Sequence, residues 1–242
     1  PGPHRGAVML REGTLFCASK GLSLFFHGAA SHASEPEQGR NPAFAIAKLI
    51  DAIPSLCAPQ QFRGFVLCTV IHVEIGAVAF GTSAGEGVLR LTIRAEHEQE
   101  LQILQQRLRE QALALAQMYG LQLELAEQDV FPQTKSWWEN LQQVRAASET
   151  LQIPIELLPH PIRSSEDFGV YTNRIKGAFF CIDTGPGPAL HTAQYDFPDA
   201  IIPQAVALFS KLAGMTCTDA DFQKAFVEIR FNLCRISPNA AA

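Results

Sequence analysis

No apolar run in this 242-residue chain approaches the roughly 18 residues that a membrane-spanning helix needs, so no membrane partner is expected. Basic residues are also in short supply. Nineteen Lys and Arg stand against 24 Asp and Glu, a net charge of −5, and binding to a phosphate backbone requires clustered cations. A nucleic-acid partner is therefore not expected. The six cysteines (Cys17, Cys57, Cys68, Cys181, Cys217 and Cys234) never form a CxxC pair, which excludes a zinc ribbon. Their scatter reads as small buried apolar side chains of a reducing, cytoplasmic protein. Neither HExxH nor HxH occurs, and there are no internal repeats or low-complexity tracts. The sequence opens PGPHRGAVML, without an initial Met and without a basic start followed by an apolar block. The sequence is expected to be a piece of something longer.

What is present suits a protein with a sizeable core, with 47% apolar and 18% charged residues. GAVMLREG (6–13) is strand-like. GLSLFFHG (21–28) reads as a strand with Leu22, Leu24 and Phe26 on one face. NPAFAIAKLIDAI (41–53) reads as a helix capped by Asn41, with Pro42 in its first turn and a broad apolar face that includes Phe44, Ile46, Leu49 and Ile53. A long strand is predicted over 62–76 and another over 85–97, where Leu91 and Ile93 oppose Arg90, Thr92 and Arg94. Residues 98–120 form the strongest helical pattern, acidic at its start and closed by Gly120, and LQLELAEQ (121–128) alternates as a strand. Residues 21–128 thus read strand, helix, strand, strand, helix, strand, the βαββαβ order of a ferredoxin-like α+β sandwich. Beyond them, helices over 139–152, 164–175 and 201–214 alternate with a buried strand over 177–185, the texture of an α/β layer.

Three stretches could carry chemistry. FHGAASHASEPEQGRNP places His32 in a loop of small residues between a strand and a helix, where a ligand can approach closely. His27 lies five residues away, a poor spacing for a shared metal. In SSEDF, Glu166 and Asp167 are adjacent at a helix start, either as plain dipole complements or as groups at a pocket floor. In DTGPGPALHTAQYDF a strand ends, a Gly/Pro loop follows and His191 arrives. A neutral imidazole suits zinc, but a site needs about three or four ligands, and no second histidine stands at ligand spacing.

Together and in this order, these stretches resemble one family. FHGAASHASEPEQGRNPA resembles the GxxxHxxxPxxGxNP signature of the dimerisation, or lid, domain in the zinc-dependent aminoacylase/carboxypeptidase superfamily. SSEDFGVY and LHTAQYDFPDAIIPQA resemble the C-terminal signatures of its amidohydrolase branch, the hippurate hydrolase and N-acyl-amino-acid amidohydrolase type. The opening PGPHRGAVMLREG resembles the strand after that branch's histidine-asparagine-x-proline-glycine motif.

The resemblance implies an α/β catalytic domain interrupted by a ferredoxin-like lid through which two subunits pair as a homodimer. It implies two metal ions per subunit, zinc with manganese or cobalt as alternatives, and a glutamate that activates the bridging water against a small-molecule amide. By the same resemblance His191 matches the last metal ligand. His32 matches the lid histidine that stabilises the oxyanion in the partner subunit's site. Glu166, Asp167 and Arg94, the last in LTIR, match positions near the substrate. The family's asparagine in an NVIP-like stretch has no counterpart in AFGTSAGEG. The remaining metal ligands and the general base fall upstream of Pro1. The expected organisation is a catalytic-domain strand (1–17), the lid (18–130), the C-terminal part of the catalytic domain (131–215) and an unassigned tail (216–242). The expected activity is hydrolysis of N-acyl amino acids or similar amides by the intact enzyme, with this chain inactive alone. The alternative is a non-catalytic dimerisation module.

Overall fold

The computed structural model describes residues 5–214; His4, Cys217, Cys234 and the tail lie outside the described residues. In chain order the elements of the first half are β1 (Val8–Leu10), β2 (Gly13–Phe16), β3 (Ala18–His27), β4 (Ser31–His32), α1 (Ala43–Leu56), β5 (Val66–Ile75), β6 (Thr82–Ser83) and β7 (Glu86–Ala95). There follow α2 (Glu98–Met118), β8 (Gln122–Phe131), β9 (Thr134–Ser136), α3 (Trp138–Thr150), β10 (Ile155–Leu157), α4 (Gly169–Thr172), β11 (Cys181–Ile182) and α5 (Ile202–Leu212). The chain divides into two compact units, one built from residues 14–135 and 160–175, the other from the remaining stretches.

The first unit is built on a four-stranded antiparallel sheet in the order β5-β7-β3-β8. Alternation sends Leu22, Leu24 and Phe26 of β3 and Leu89, Leu91 and Ile93 of β7 to one face, where all are buried. Helices α1 and α2 cover that face with residues at helical spacing: Ala45, Ile46, Leu49 and Ile53 from α1, and Leu101, Leu104, Leu108, Ala112 and Leu115 from α2. The Asn41 side chain accepts the Ala43 N–H at 2.9 Å and so caps α1. Phe44, expected in the core, is exposed and stacks on Tyr119 with ring centroids 6.2 Å apart. The acidic start of α2 does more than meet the helix dipole. Glu100 is buried and its carboxylate accepts the backbone N–H groups of Arg63 and Gly64. Those donors are thereby withdrawn from the ladder, and the strand expected from residue 62 begins pairing only at Val66.

The second unit carries a three-stranded sheet, β10-β1-β11, parallel between β1 and β10 and antiparallel between β1 and β11. Val8, Leu10, Leu141, Val144, Ile153 and Leu208 form its core. The strand expected over 177–185 is paired only at Cys181–Ile182. Earlier in that segment the Ser136 hydroxyl takes up the Phe179 backbone, accepting from its N–H and donating to its carbonyl, both at 3.1 Å, where a strand neighbour would otherwise stand. Within the first unit, the helix expected over 164–175 is reduced to the single turn Gly169–Thr172.

Candidate functional site

His32 sits on β4, a two-residue strand that pairs with β6 in the register His32 with Thr82 and Ser31 with Ser83. Such a short ladder needs outside support. Ala33 N–H donates to the Gly81 carbonyl at 3.0 Å, and Asn41 Nδ2, from the α1 cap, donates to Ser83 Oγ at 3.1 Å. Gly28 of the motif and Gly85, just after β6, are there for close approach. A Cβ on Gly28 would stand 1.9 Å from the Arg40 carbonyl oxygen, and one on Gly85 would stand 2.4 Å from the Ala30 nitrogen. His32 is exposed, yet its ring is oriented. The Ser34 backbone N–H reaches Nδ1 at 3.2 Å, and the Ser34 hydroxyl lies 2.6 Å from the same atom. A backbone N–H can only donate, so Nδ1 accepts and the proton of the neutral ring is on Nε2. His27 has a different partner, with Nδ1 2.6 Å from Glu86 Oε2.

Arg94 lies at the other end of the sheet. It pairs in register with Ser19, whereas Glu86 pairs with His27 eight residues along β3, about 26 Å at the rise of an extended strand. Arg94 Nη1 donates to Ser165 Oγ at 2.7 Å and to the Arg163 carbonyl at 3.3 Å. Ser165 in turn donates to Ser19 Oγ at 2.6 Å. The neighbouring main chain is laid along the start of β3: Cys17 N–H donates to the carbonyls of Ile162 and Ser164. The Arg163 guanidinium stacks 4.6 Å over the Phe65 ring. These bonds hold Ser164–Asp167 as a loop, the reason it does not become helix. Glu166 is half-buried beside Ser165, and Asp167 is exposed, its N–H bonded to Glu166 Oε1 at 2.8 Å. The fold therefore brings Arg94 together with the SSEDF stretch and keeps His32, on the separate β4–β6 ladder that follows the other end of β3, away from it.

His191 belongs to the other unit, in the loop between β11 and α5. It is exposed and adopts φ 66°, the left-handed region that a β-carbon disfavours, within the turn closed by Thr192 N–H and Oγ on the Ala189 carbonyl. Sequence reasoning passed over Asp183, which stands ahead of this loop with 1% exposure. Its backbone is fixed by Gly6 N–H and Ala7 O, and its Oδ1 accepts Gly185 N–H at 2.9 Å. A carboxylate ending an apolar run, CIDTG, was the available signal. Nearby, Arg5, Thr184, Gly185 and Asp196 line a recess of about 260 Å³.

A metal centre tests poorly on these residues alone. Among the described residues no three His, Cys, Asp or Glu side chains converge as a ligand set, so His191 supplies at most one arm of such a site. A second recess of about 600 Å³, lined by Phe180, Phe197 and Phe209 together with apolar residues of α5, is hydrocarbon rather than chemistry.

An open sheet with two helices on one face, carrying an oriented but exposed histidine at its rim, is the kind of unit that serves another surface rather than enclosing a site. Residues 17–119, from β3 through α2, match the family model of the peptidase dimerisation domain. The proteins the chain resembles include amidohydrolases. The chain is 24% identical over 217 residues to the hippurate hydrolase of Campylobacter jejuni, covering 84% of this chain and 54% of that protein. It is 28% identical over 217 residues to the N-acetyldiaminopimelate deacetylase of Streptococcus sanguinis, covering 85% and 55% respectively. In fold it resembles a dinuclear metal-binding peptidase of Bacillus subtilis, with a TM-score of 0.73 at 18% identity over 88% of this chain and 54% of that one. The chain spans about half the length of the curated relatives it matches.

Proposed function

We propose that the chain is the lid and the adjoining C-terminal part of the catalytic domain of a zinc-dependent amidohydrolase that cleaves N-acyl amino acids or similar small amides. The lid is read as ferredoxin-like, supported by its βαββαβ element order and antiparallel strand order. It pairs two subunits into a homodimer. His32 donates from Nε2 to the oxygen of the tetrahedral intermediate, the task for which a fixed neutral imidazole with an outward N–H is suited. The observation that carries this role is the Ser34 N–H on Nδ1, which sets the tautomer before substrate arrives. Because Arg94 and Glu166 lie a sheet's length away on the same unit, His32 serves the partner's active site. Arg94, Glu166 and Asp167 stand by the substrate of their own subunit, Arg94 holding the loop through Ser165. His191 would hold one ion of a metal pair whose chemistry would be to polarise the amide carbonyl and activate water, with the other ligands supplied by sequence outside this chain.

The test is kinetic, in the polypeptide extended by its upstream coding sequence. His32→Ala is expected to lower kcat about 100-fold with zinc content and KM little changed. His191→Ala is expected to lose bound metal instead. An unchanged kcat in His32→Ala would remove the oxyanion role.

A second reading is a non-catalytic dimerisation module. It is favoured by one observation, that the matched family model covers only the lid, residues 17–119. Zinc bound stoichiometrically by the extended enzyme supports the hydrolase. A stable dimer of that polypeptide without bound zinc supports the module.

A further inference from the structure

The link between β5 and β7 reads GAVAFGTSAG (76–85), and apart from Val78 and Phe80 every residue in it is Gly, Ala, Ser or Thr. Those two large side chains stand almost wholly in solvent, Val78 at 97% exposure and Phe80 at 99%. A loose main chain is not the reason. The base of the link is closed by Gly76 N–H on the Glu86 carbonyl at 2.9 Å and by Gly28 N–H on the Gly85 carbonyl at 2.7 Å. Its tip is a turn closed by Thr82 N–H on the Ala79 carbonyl at 3.2 Å, with Phe80 and Gly81 at the corners. Such corners favour Gly, Pro, Asn, Asp and Ser, so a phenyl ring there has no local use. The tip is also fastened to the strand of His32. Ala33 N–H donates to the Gly81 carbonyl at 3.0 Å, and Thr82 pairs with His32 itself. Phe80 lies two residues before Thr82, a span of at most about 7 Å, so one small substrate can touch both side chains.

We infer that Phe80 is a specificity-determining residue, which lays its ring against the aromatic acyl group of an N-aroyl amino acid while His32 bonds the oxygen of the same carbonyl. This role for Phe80 rests on the reading of His32 as the oxyanion donor, and it names the substrate class as amides of aromatic acids. Two groups flank the reacting carbonyl, the amino acid and the acyl group. The amino acid brings a carboxylate, whereas the charged residue lining the recess of about 310 Å³ beneath the link is Glu86, an anion. The acyl group is neutral and suits a bare phenyl ring. Two aromatic rings meeting offset or edge to face remove apolar surface of both from water. The turn holds Phe80 in place beforehand, so little main-chain freedom is lost when the substrate arrives. The acyl ring does not change as the carbonyl becomes tetrahedral. Its contact with Phe80 is therefore equal in the ground and transition states and acts on KM, while the His32 bond acts on kcat.

The experiment is steady-state hydrolysis of N-benzoylglycine and N-acetylglycine by the polypeptide extended by its upstream coding sequence. Wild type is compared with Phe80→Ala and Phe80→Leu, and bound zinc and dimer mass are measured on each. Phe80→Ala is expected to raise KM for N-benzoylglycine about tenfold with kcat within about twofold of wild type. KM for N-acetylglycine is expected to stay nearly unchanged, and Phe80→Leu to recover part of the loss. Because the Phe80 side chain meets solvent rather than the core, zinc content and dimer mass should match the wild type in both variants. An unchanged KM for N-benzoylglycine, an equal rise for both substrates, or a fall in kcat alone would overturn the proposal. Loss of the dimer in Phe80→Ala would also overturn it, by assigning the ring to subunit pairing. Absence of hydrolysis by the wild type would overturn the hydrolase reading and this role together, whereas wild-type turnover insensitive to Phe80 removes this role alone.

Discussion

At the scale of single residues, His32 stood out in the sequence as a histidine among Gly, Ala and Ser between a strand and a helix, and its expected role came only with the resemblance of the whole motif. The sequence could not show the Ser34 contact that selects the tautomer, since that depends on the local turn. The glycines around it carry the sharpest stability prediction. Gly28→Ala would place a carbon inside contact distance of both the Arg40 carbonyl and the Leu121 side chain, and backbone there has nowhere to go. We expect a loss of about 3 kcal/mol in chemical denaturation. A change under about 0.5 kcal/mol would show that the crossing at Arg40 is looser than it looks.

At the scale of elements, legibility followed length and periodicity. Helix α2 repeats its apolar positions over six turns and β3 and β7 alternate cleanly, so their existence was plain. Short or irregular elements were not. The two-residue strands β4 and β6 are defined by each other, and Ser164–Asp167 is a loop because Arg94 and the start of β3 bind it. A helix start and a loop pinned by side chains look alike in sequence. In the helix–sheet layer, Leu104 is fully buried, and Leu104→Ala is expected to cost about 3 kcal/mol by leaving a cavity. The polar tie between the layers has a pH signature. Lys20 Nζ bonds Glu127 Oε2 at 3.0 Å and Gln105 Oε1 at 2.9 Å, and Gln105 bonds the other Glu127 oxygen at 2.6 Å. The Lys20 bond, then that from Gln105, holds the Glu127 carboxyl below the usual carboxylate range. Its stabilisation is therefore complete above the unfolded carboxylate pKa and is lost as pH falls through the lower folded value. Because Glu127 is well exposed, the contribution is about 0.5 kcal/mol or less. Glu127→Gln should flatten the acid limb of a stability-against-pH curve, and an acid limb unchanged from the wild type would contradict this assignment.

At the scale of the whole molecule, composition argued against nucleic acid, and no helix among the described residues is long and apolar enough to cross a membrane. The metal site was where sequence spacing failed. His191 has no partner at ligand spacing in sequence, and among the described residues no group of three or more His, Cys, Asp or Glu side chains could hold a metal ion. Its assignment rests on the company of the other motifs and on relatives of which this chain spans about half. The same view predicts a dimer by light scattering for the 242-residue chain, since the stretch that matches the dimerisation-domain model lies wholly within it. The central claim is that this chain holds the oxyanion donor and one metal arm but not the rest of a hydrolytic site. The most direct measurement is zinc-supplemented hydrolysis of hippurate and N-acetyl amino acids by the 242-residue chain alone and by the same chain joined to its upstream coding sequence. The account predicts background rates for the first and turnover dependent on His32 and His191 for the second. Turnover by the chain alone, or none by the extended polypeptide with zinc bound, would contradict it.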